Sequence, residues 1–169
     1  MTKNDDYYFH QTPNDLAIKL INEIDLIEGD IILEPFKGEG SFFNNFPNNT
    51  IKFYTEIEEG IDFKDFKDNV DWVISNPPFK LDTGNKRINS FYYILEYYST
   101  RVNKGIAFLG NDNCISCLTP NRIQKLKDNN LYLHKIIVCS VKKWRGRYFF
   151  MIFKKNEPSY FFNCIDGNF

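Results

Sequence analysis

The residues of this chain best suited to chemistry are Asn76-Pro77-Pro78-Phe79. Two consecutive prolines fix a rigid turn and remove two backbone donors, so the neighbouring carbonyls are left as outward acceptors. Asn76 adds a side-chain carbonyl and Phe79 a flat apolar face. An exocyclic amine carries two hydrogens. A pair of acceptors can hold it and aim its lone pair, while the ring that bears it stacks on the phenyl group. The turn follows Val70-Asp71-Trp72-Val73-Ile74, an apolar run that reads as a strand, and prolines cannot continue a sheet ladder.

A second group lies upstream. Ile31-Ile32-Leu33 reads as a short buried strand, and Glu34-Pro35-Phe36-Lys37-Gly38-Glu39-Gly40 follows it directly. A Gly-x-Gly turn at a strand's C-terminal end lets backbone approach a ligand, and Glu34 can accept from an ammonium group. The third spaced glycine of a dinucleotide fingerprint is missing. Glu56 follows the next strand, Ile51-Lys52-Phe53-Tyr54, where a carboxylate can hold ribose hydroxyls, and Asp62 is a candidate partner for an adenine amine.

The elements that must position these groups alternate. Thr12 reads as the N-cap of a helix with Pro13 in its first turn, and the apolar spacing from Leu16 to Ile27 carries that helix to Gly29. Further on come an aromatic-rich helix over Ile88–Val102, a buried strand over Gly105–Leu109 and a short helix over Pro120–Lys127. Leu131–Val141 and Tyr148–Lys155 read as an antiparallel hairpin. This order predicts an α/β fold: a single domain over residues 1–169 with a doubly wound, mostly parallel sheet and a C-terminal antiparallel hairpin.

Composition narrows the class. With 43% hydrophobic and 17% aromatic residues the chain is globular. No apolar run approaches a membrane span, and the polar, acidic start lacks a signal-peptide core. The expectation is an intracellular protein with no membrane partner, cytoplasmic, or nuclear in a eukaryote. Cys114, Cys117, Cys139 and Cys164 make no disulfide framework. Cys114-Ile-Ser-Cys117 has the spacing of a metal or redox pair, but a metal would want a second such pair or two histidines, and only His10 and His134 exist. Reduced structural thiols and no metal are expected.

The net charge of −1 hides an asymmetry. Residues 1–75 hold 6 basic and 16 acidic side chains, whereas residues 76–169 hold 15 and 6. From Lys135 to Lys155 there are seven positive residues and no acid. Lys142, Lys143, Trp144, Arg145 and Arg147 interleave charge with an aromatic ring, and Tyr148 follows, a pattern suited to phosphate contact and base stacking.

Taken together, these residues resemble the class I, S-adenosylmethionine-dependent amino-methyltransferases. Residues 34–40 are similar to that family's motif I, and Asn76-Pro77-Pro78-Phe79 to its motif IV. Phe9-His10-Gln11-Thr12-Pro13 resembles the Thr-Pro segment that precedes motif I in adenine-N6 DNA methyltransferases. The resemblance covers roughly residues 7–110, and the hairpin more loosely. It implies a Rossmann-like methyltransferase fold, S-adenosylmethionine as cofactor, and DNA or RNA as partner, with DNA favoured. By position, Glu34, Gly38 and Gly40 would hold the methionine part, Phe36 would line the pocket, and Thr12 and Pro13 would approach the carboxylate end. Glu56 would bind the ribose and Asp62 the adenine. Asn76 and the Pro77 carbonyl would hold the target amine, with Pro78 fixing the turn and Phe79 stacking. The same motif IV also serves cytosine-N4 and protein-glutamine methylation, and a non-catalytic subunit could retain the fold. Two departures from the pattern are expected to matter. The strand–helix unit between Glu56 and Asp71 is reduced or absent, and a separate target-recognition domain is lacking, so specificity would come from short loops or from a specificity or activating subunit.

Overall fold

A computed structural model describes residues 11–82, 87–142, 144 and 146–159. Its frame is a six-stranded sheet built from β1 (Ile31–Glu34), β2 (Ile51–Tyr54), β3 (Val70–Ser75), β6 (Val102–Asn111), β7 (Leu131–Cys139) and β8 (Tyr148–Lys155), in the order β2-β1-β3-β6-β8-β7. β1 runs parallel to β2 and β3, and β3 parallel to β6. β8 is antiparallel to both neighbours, β6 and β7. The mostly parallel sheet with a late antiparallel hairpin, read from the alternation of elements, is the sheet observed.

Side-chain alternation along each strand feeds two cores, one per face. Leu33, Val73, Ile106, Phe108, Met151 and Phe153 face one side and meet Phe91, Ile94 and Leu95 of α2 (Ser90–Ser99) and Ile123 and Leu126 of α4 (Pro120–Asp128). Ile32, Trp72, Ile74, Ala107, Phe150 and Ile152 face the other and meet Ala17, Leu20 and Ile21 of α1 (Asn14–Ile21), with Phe42 and Phe46. Helices on both faces make the sheet doubly wound.

Three local expectations need correction. Thr12 does not cap α1: Pro13 takes the N-cap position and its carbonyl accepts the Ala17 N–H at 2.9 Å, while Thr12 is buried in the cleft described below. α1 stops at Ile21 rather than running to Gly29. After it, Glu23 and Ile24 donate three residues back, to Leu20 and Ile21, a tighter turn that packs Ile24 into the core. The helix expected over Ile88–Val102 begins at Ser90, because Arg87–Asn89 (β5) pairs antiparallel with Lys80–Asp82 (β4), and it ends at Ser99. The short helix α3 (Asp112–Ser116) was not anticipated; Asn111 caps it by accepting the Asn113 N–H at 3.1 Å.

Between β2 and β3 the described chain holds only a single 3₁₀ turn, Ile57–Glu59, so the reduced unit expected there is what the fold contains. Tyr98 fastens the rest of that segment, its hydroxyl donating to the Phe63 carbonyl at 2.9 Å.

β3 and β6 approach closely at Gly105. A Cβ there would meet the Phe153 carbonyl at 2.3 Å and the Trp72 ring at 2.5 Å. Gly105→Ala should cost about 2 kcal/mol or more through overpacking. Urea denaturation checks this, and an unchanged midpoint would contradict the close approach.

Candidate active site

The C-terminal ends of β1, β2, β3 and β6 form one rim, and β7 ends and β8 begins there too, so the turn between these two lies on the same side. In the rim opens a cleft of about 300 Å³, its open mouth included. It is lined by Gln11, Thr12, Glu34, Phe36, Lys37, Gly38, Ser41, Phe42 and Asn76. Three segments distant in sequence, around residues 12, 36 and 76, meet in it. Of the candidate residues the cleft unites Thr12, Glu34, Phe36, Gly38 and Asn76.

Glu34 is its chemical centre. The side chain is 2% exposed, and Oε2 accepts the Phe43 N–H at 2.7 Å. Among the described residues no ion pair within 4.0 Å involves it. Burial pushes its carboxyl well above the ordinary range; the Phe43 bond opposes this, the nearby Glu56 charge adds to it, and Lys37 opposes it weakly. A buried carboxylate without a bonded cation, at the wall of a cleft, fits a ligand that brings positive charge.

The glycine turn is tied to the end of β2. Gly38 (φ 51°) donates to Glu56 Oε2 at 2.6 Å, and Glu56 Oε1 accepts the Glu58 N–H at 3.2 Å. Thr55 Oγ1 donates to the Pro35 carbonyl at 2.8 Å. Lys37 Nζ pairs with Glu59 at 2.6 Å and lies 3.7 Å from the centre of the Tyr54 ring, a bridge that sequence reading missed although Lys37 sits inside the motif. Gly40 (φ 82°) donates to the Lys37 carbonyl at 2.8 Å, and a Cβ there would meet Asn44 at 2.8 Å. Gly40 therefore closes the turn and does not line the cleft. Glu56 stands behind the turn, outside the lining. Asp62 opens a turn of its own, its Oδ1 accepting the Lys64 N–H at 2.8 Å. The next residue, Phe63, sets its ring 5.3 Å from that of Phe36, which brings this turn to the Phe36 side of the cleft.

On the other side Asn76 Nδ2 donates to Thr12 Oγ1 at 3.3 Å. Pro77 is buried, and the Pro78 carbonyl accepts from the Ser90 hydroxyl, so the first residue of α2 braces the turn. No motif signals Ser90; the β4/β5 pairing returns the chain to it. Phe79 lies 6.4 Å from Tyr148, and Tyr148 lies 4.4 Å from Trp144, so an aromatic series joins Asn76–Phe79 to the basic turn.

The basic stretch is less naked than its sequence. Lys135 pairs with Glu23 at 2.6 Å, and Lys154 with Asp25 at 2.9 Å and Glu157 at 3.3 Å. Lys155 donates to the Asn129 carbonyl at 2.6 Å. Acids just after α1, in the acidic half, thus neutralise part of it. Lys142 and Arg147 remain exposed at the rim, whereas Lys143 and Arg145 lie outside the described residues. Cys114 and Cys117 are buried free thiols; burial pushes Cys114 up to about 12 and raises Cys117 as well, away from thiolate chemistry. Cys164 lies outside the described residues. Among the described residues no helix is long and apolar enough to cross a membrane.

No protein-family model matches the chain, and no curated protein matches it by sequence. Solved structures do match. TrmN from Thermus thermophilus shares 17% identity at a TM-score of 0.55, over 84% of this chain and 48% of that one, so this chain spans about half its length. A proposed RNA methyltransferase from Pyrococcus horikoshii shares 16% at 0.58, over 86% and 85%. The modification subunit of a proposed type I restriction enzyme from Vibrio vulnificus shares 15% at 0.62, over 88% and 45%. At such identities the likeness establishes the fold. The chain has the Rossmann-like fold of the methyltransferases.

The raised Glu34 carboxyl makes stability depend on pH. The folded chain keeps that proton to higher pH than the unfolded chain, whose ordinary value is 4.5. The contribution is complete below that value and is lost as pH rises through the folded one. Glu34→Gln should therefore gain on the native chain as pH increases above that ordinary value. Urea curves without ligand at acidic and alkaline pH test this, and parallel curves for both proteins would contradict it.

Proposed function

We propose that this chain binds S-adenosylmethionine in the cleft and methylates an amino nitrogen, adenine N6 of nucleic acid, with DNA favoured over RNA. The observation that carries the reading is the meeting of Thr12, Glu34, Phe36, Gly38 and Asn76 in one cleft on the rim of a methyltransferase fold. Parallel pairing of β1 with β3 brings Glu34 and Asn76 to the same rim, and the side chains it brings together are those of the two motifs.

Glu34 fits the positive charge of the cofactor, and the Gly38 turn allows close backbone approach beside it. Phe36 offers an apolar wall. Glu56 holds the Gly38 and Glu58 amides from behind the turn, and the family resemblance would give it the ribose hydroxyls at the end of β2. Asp62, beside Phe63 and Phe36, would meet the adenine end. Thr12 and Pro13 would stand at the carboxylate end, and the Thr12 hydroxyl also steadies Asn76. When bound, the cofactor supplies an electrophilic methyl group on a sulfonium.

The chain's part in the reaction is positioning. Asn76 and the Pro77 carbonyl would accept from the two amine hydrogens and hold the lone pair toward the cleft. Ser90 holds the Pro78 carbonyl and so keeps the turn rigid. A base in a duplex must leave the stack, at roughly a few kcal/mol. Stacking on Phe79 offsets this, and the Tyr148–Trp144 pair extends the aromatic surface. Lys142, Lys143, Arg145 and Arg147 would meet phosphates beside it. The RNA methyltransferase named among the neighbours agrees with a nucleic-acid substrate, and the Thr-Pro segment before motif I favours DNA.

With duplex DNA, RNA and a cell protein extract offered in parallel, label from tritiated S-adenosylmethionine should enter the DNA, and digestion should return it as N6-methyladenine. Label in N4-methylcytosine or in a glutamine amide would replace the substrate assignment, and bound cofactor without label would mark a non-catalytic subunit. Asn76→Ala should lower turnover by about 100-fold or more and leave cofactor affinity within about threefold. Full activity in that variant would overturn the proposed role of the turn.

A further inference from the structure

Eight large apolar side chains are exposed among the described residues: Ile18, Ile27, Ile51, Phe53, Ile57, Ile61, Ile136 and Val138. Five of them, Ile27 to Ile61, follow one edge of the sheet. Ile51 and Phe53 stand on β2 at 51% and 43% exposure, and Ile57, at 63%, and Ile61 are in the turn that continues it. Ile27 joins them through the Gly29 N–H, which donates to the Asn49 carbonyl at 2.8 Å just before β2. β2 is the outermost strand, and no described strand pairs with its far edge. No described helix lies between it and β3, so Phe53 meets only the Phe66 ring, at 5.4 Å, among the aromatic contacts of that face. Ile51 and Thr55 donate inward, to Asp30 and Glu34. The alternation of a parallel ladder therefore turns the backbone groups of Lys52 and Tyr54 outward. An open edge with an apolar face is a template for strand addition and is rarely left bare.

The border of this patch is acidic. Glu28, Glu58, Asp65 and Asp68 are exposed around it. Of the lysines nearby, Lys52 is drawn over the Phe43 ring, Lys64 over Tyr93, and Lys67 donates to the Lys64 carbonyl.

We propose that this edge docks a separate protein chain that adds an extended strand to β2, laying apolar side chains on Ile51 and Phe53 and lysines or arginines against the acidic border. Charge selects this occupant. A second copy on the same edge would set acid against acid. The opposite edge of a second copy, β7, carries one lysine, Lys135, which is already paired with Glu23. Residues 160–169 contain no Lys or Arg, and residues 1–10 set Lys3 against Asp5 and Asp6, so neither end of the chain complements the border. The proposal stands apart from methyl transfer, because Ile51 and Phe53 do not line the cleft and the chemistry of the edge is that of a protein surface.

The test uses the full chain and two eight-residue probe peptides, one alternating valine with lysine, the other valine with glutamate. By light scattering the chain alone should be monomeric, and by hydrogen exchange the Lys52 and Tyr54 amides should be unprotected. The lysine peptide should bind, protect those two amides and weaken with salt, and the glutamate peptide should not. Ile51→Ser with Phe53→Ser should weaken the lysine peptide about tenfold while the S-adenosylmethionine titration is unchanged. Loss of cofactor binding in the native chain would reject the methyltransferase reading and leave the peptide result intact. Equal binding of both peptides, or binding indifferent to the double substitution, would overturn the proposal. So would a mass that grows with concentration, which marks a second copy, or protected amides in the free chain, which mark one of its own ends.

Discussion

A carboxylate taken out of water at the end of a central strand is the constraint around which this rim is arranged. Glu34 is the last residue of β1, and the alternation that buries Ile32 buries Glu34 on the same face. Its one hydrogen bond from Phe43 requires the chain to double back within nine residues, and that turn needs Gly38 and Gly40 at positive φ. The turn is in turn fixed by Glu56 and Thr55 at the end of β2. Two acidic groups so close raise the cost of charging Glu34, and the protein supplies no bonded cation to relieve it. On the proposed reading, a positively charged ligand would relieve that cost.

Opposed charges in the two halves of the chain have a structural use as well as a functional one. Glu23 and Asp25, just past α1, reach Lys135 and Lys154 on the last two strands and close the fold across more than a hundred residues. Partly exposed pairs of this kind contribute modestly, about 1 kcal/mol or less each. Among the charges these pairs leave exposed, Lys142 and Arg147 lie in the rim turn beside Trp144 and Tyr148, and Glu58, Asp65 and Asp68 lie in the segment that follows β2. The two ends of the sheet order thus present different chemistries, with the cleft between them.

Much of this was legible in the sequence because it rests on local rules. The apolar runs of β1, β3 and β6 are long enough to be buried strands, and two prolines or a Gly-x-Gly turn end two of them in ways that few structures allow. Thr12, Glu34, Phe36, Gly38 and Asn76 lie together at one cleft, whereas Gly40, Glu56 and Asp62 lie outside its lining. What escaped depends on contacts between distant segments. Thr12 has the chemistry of a helix cap, but the cleft takes its hydroxyl for Asn76, 64 residues away, and a proline serves as cap instead. Ser90 carries no signal; it reaches Pro78 only because a short antiparallel pair intervenes. α1 ends early in a tighter turn that places Ile24 in the core, a tertiary contact that the helical spacing does not signal. Lys135 and Lys154 looked unopposed only because Glu23 and Asp25, which pair with them, belong to the other half of the sequence.

The account turns on Glu34 as the group that answers a cationic cofactor, and calorimetry tests that most directly. S-adenosylmethionine should be titrated into the full chain and into Glu34→Gln in buffers of different ionisation enthalpy, from about pH 5.5 to about pH 8. Binding to the native chain should be one to one and should release a proton wherever Glu34 is protonated in the free protein, so that affinity rises with pH. The variant should bind more weakly and lack that proton. Absence of binding, or the same proton release from both proteins, would contradict the account.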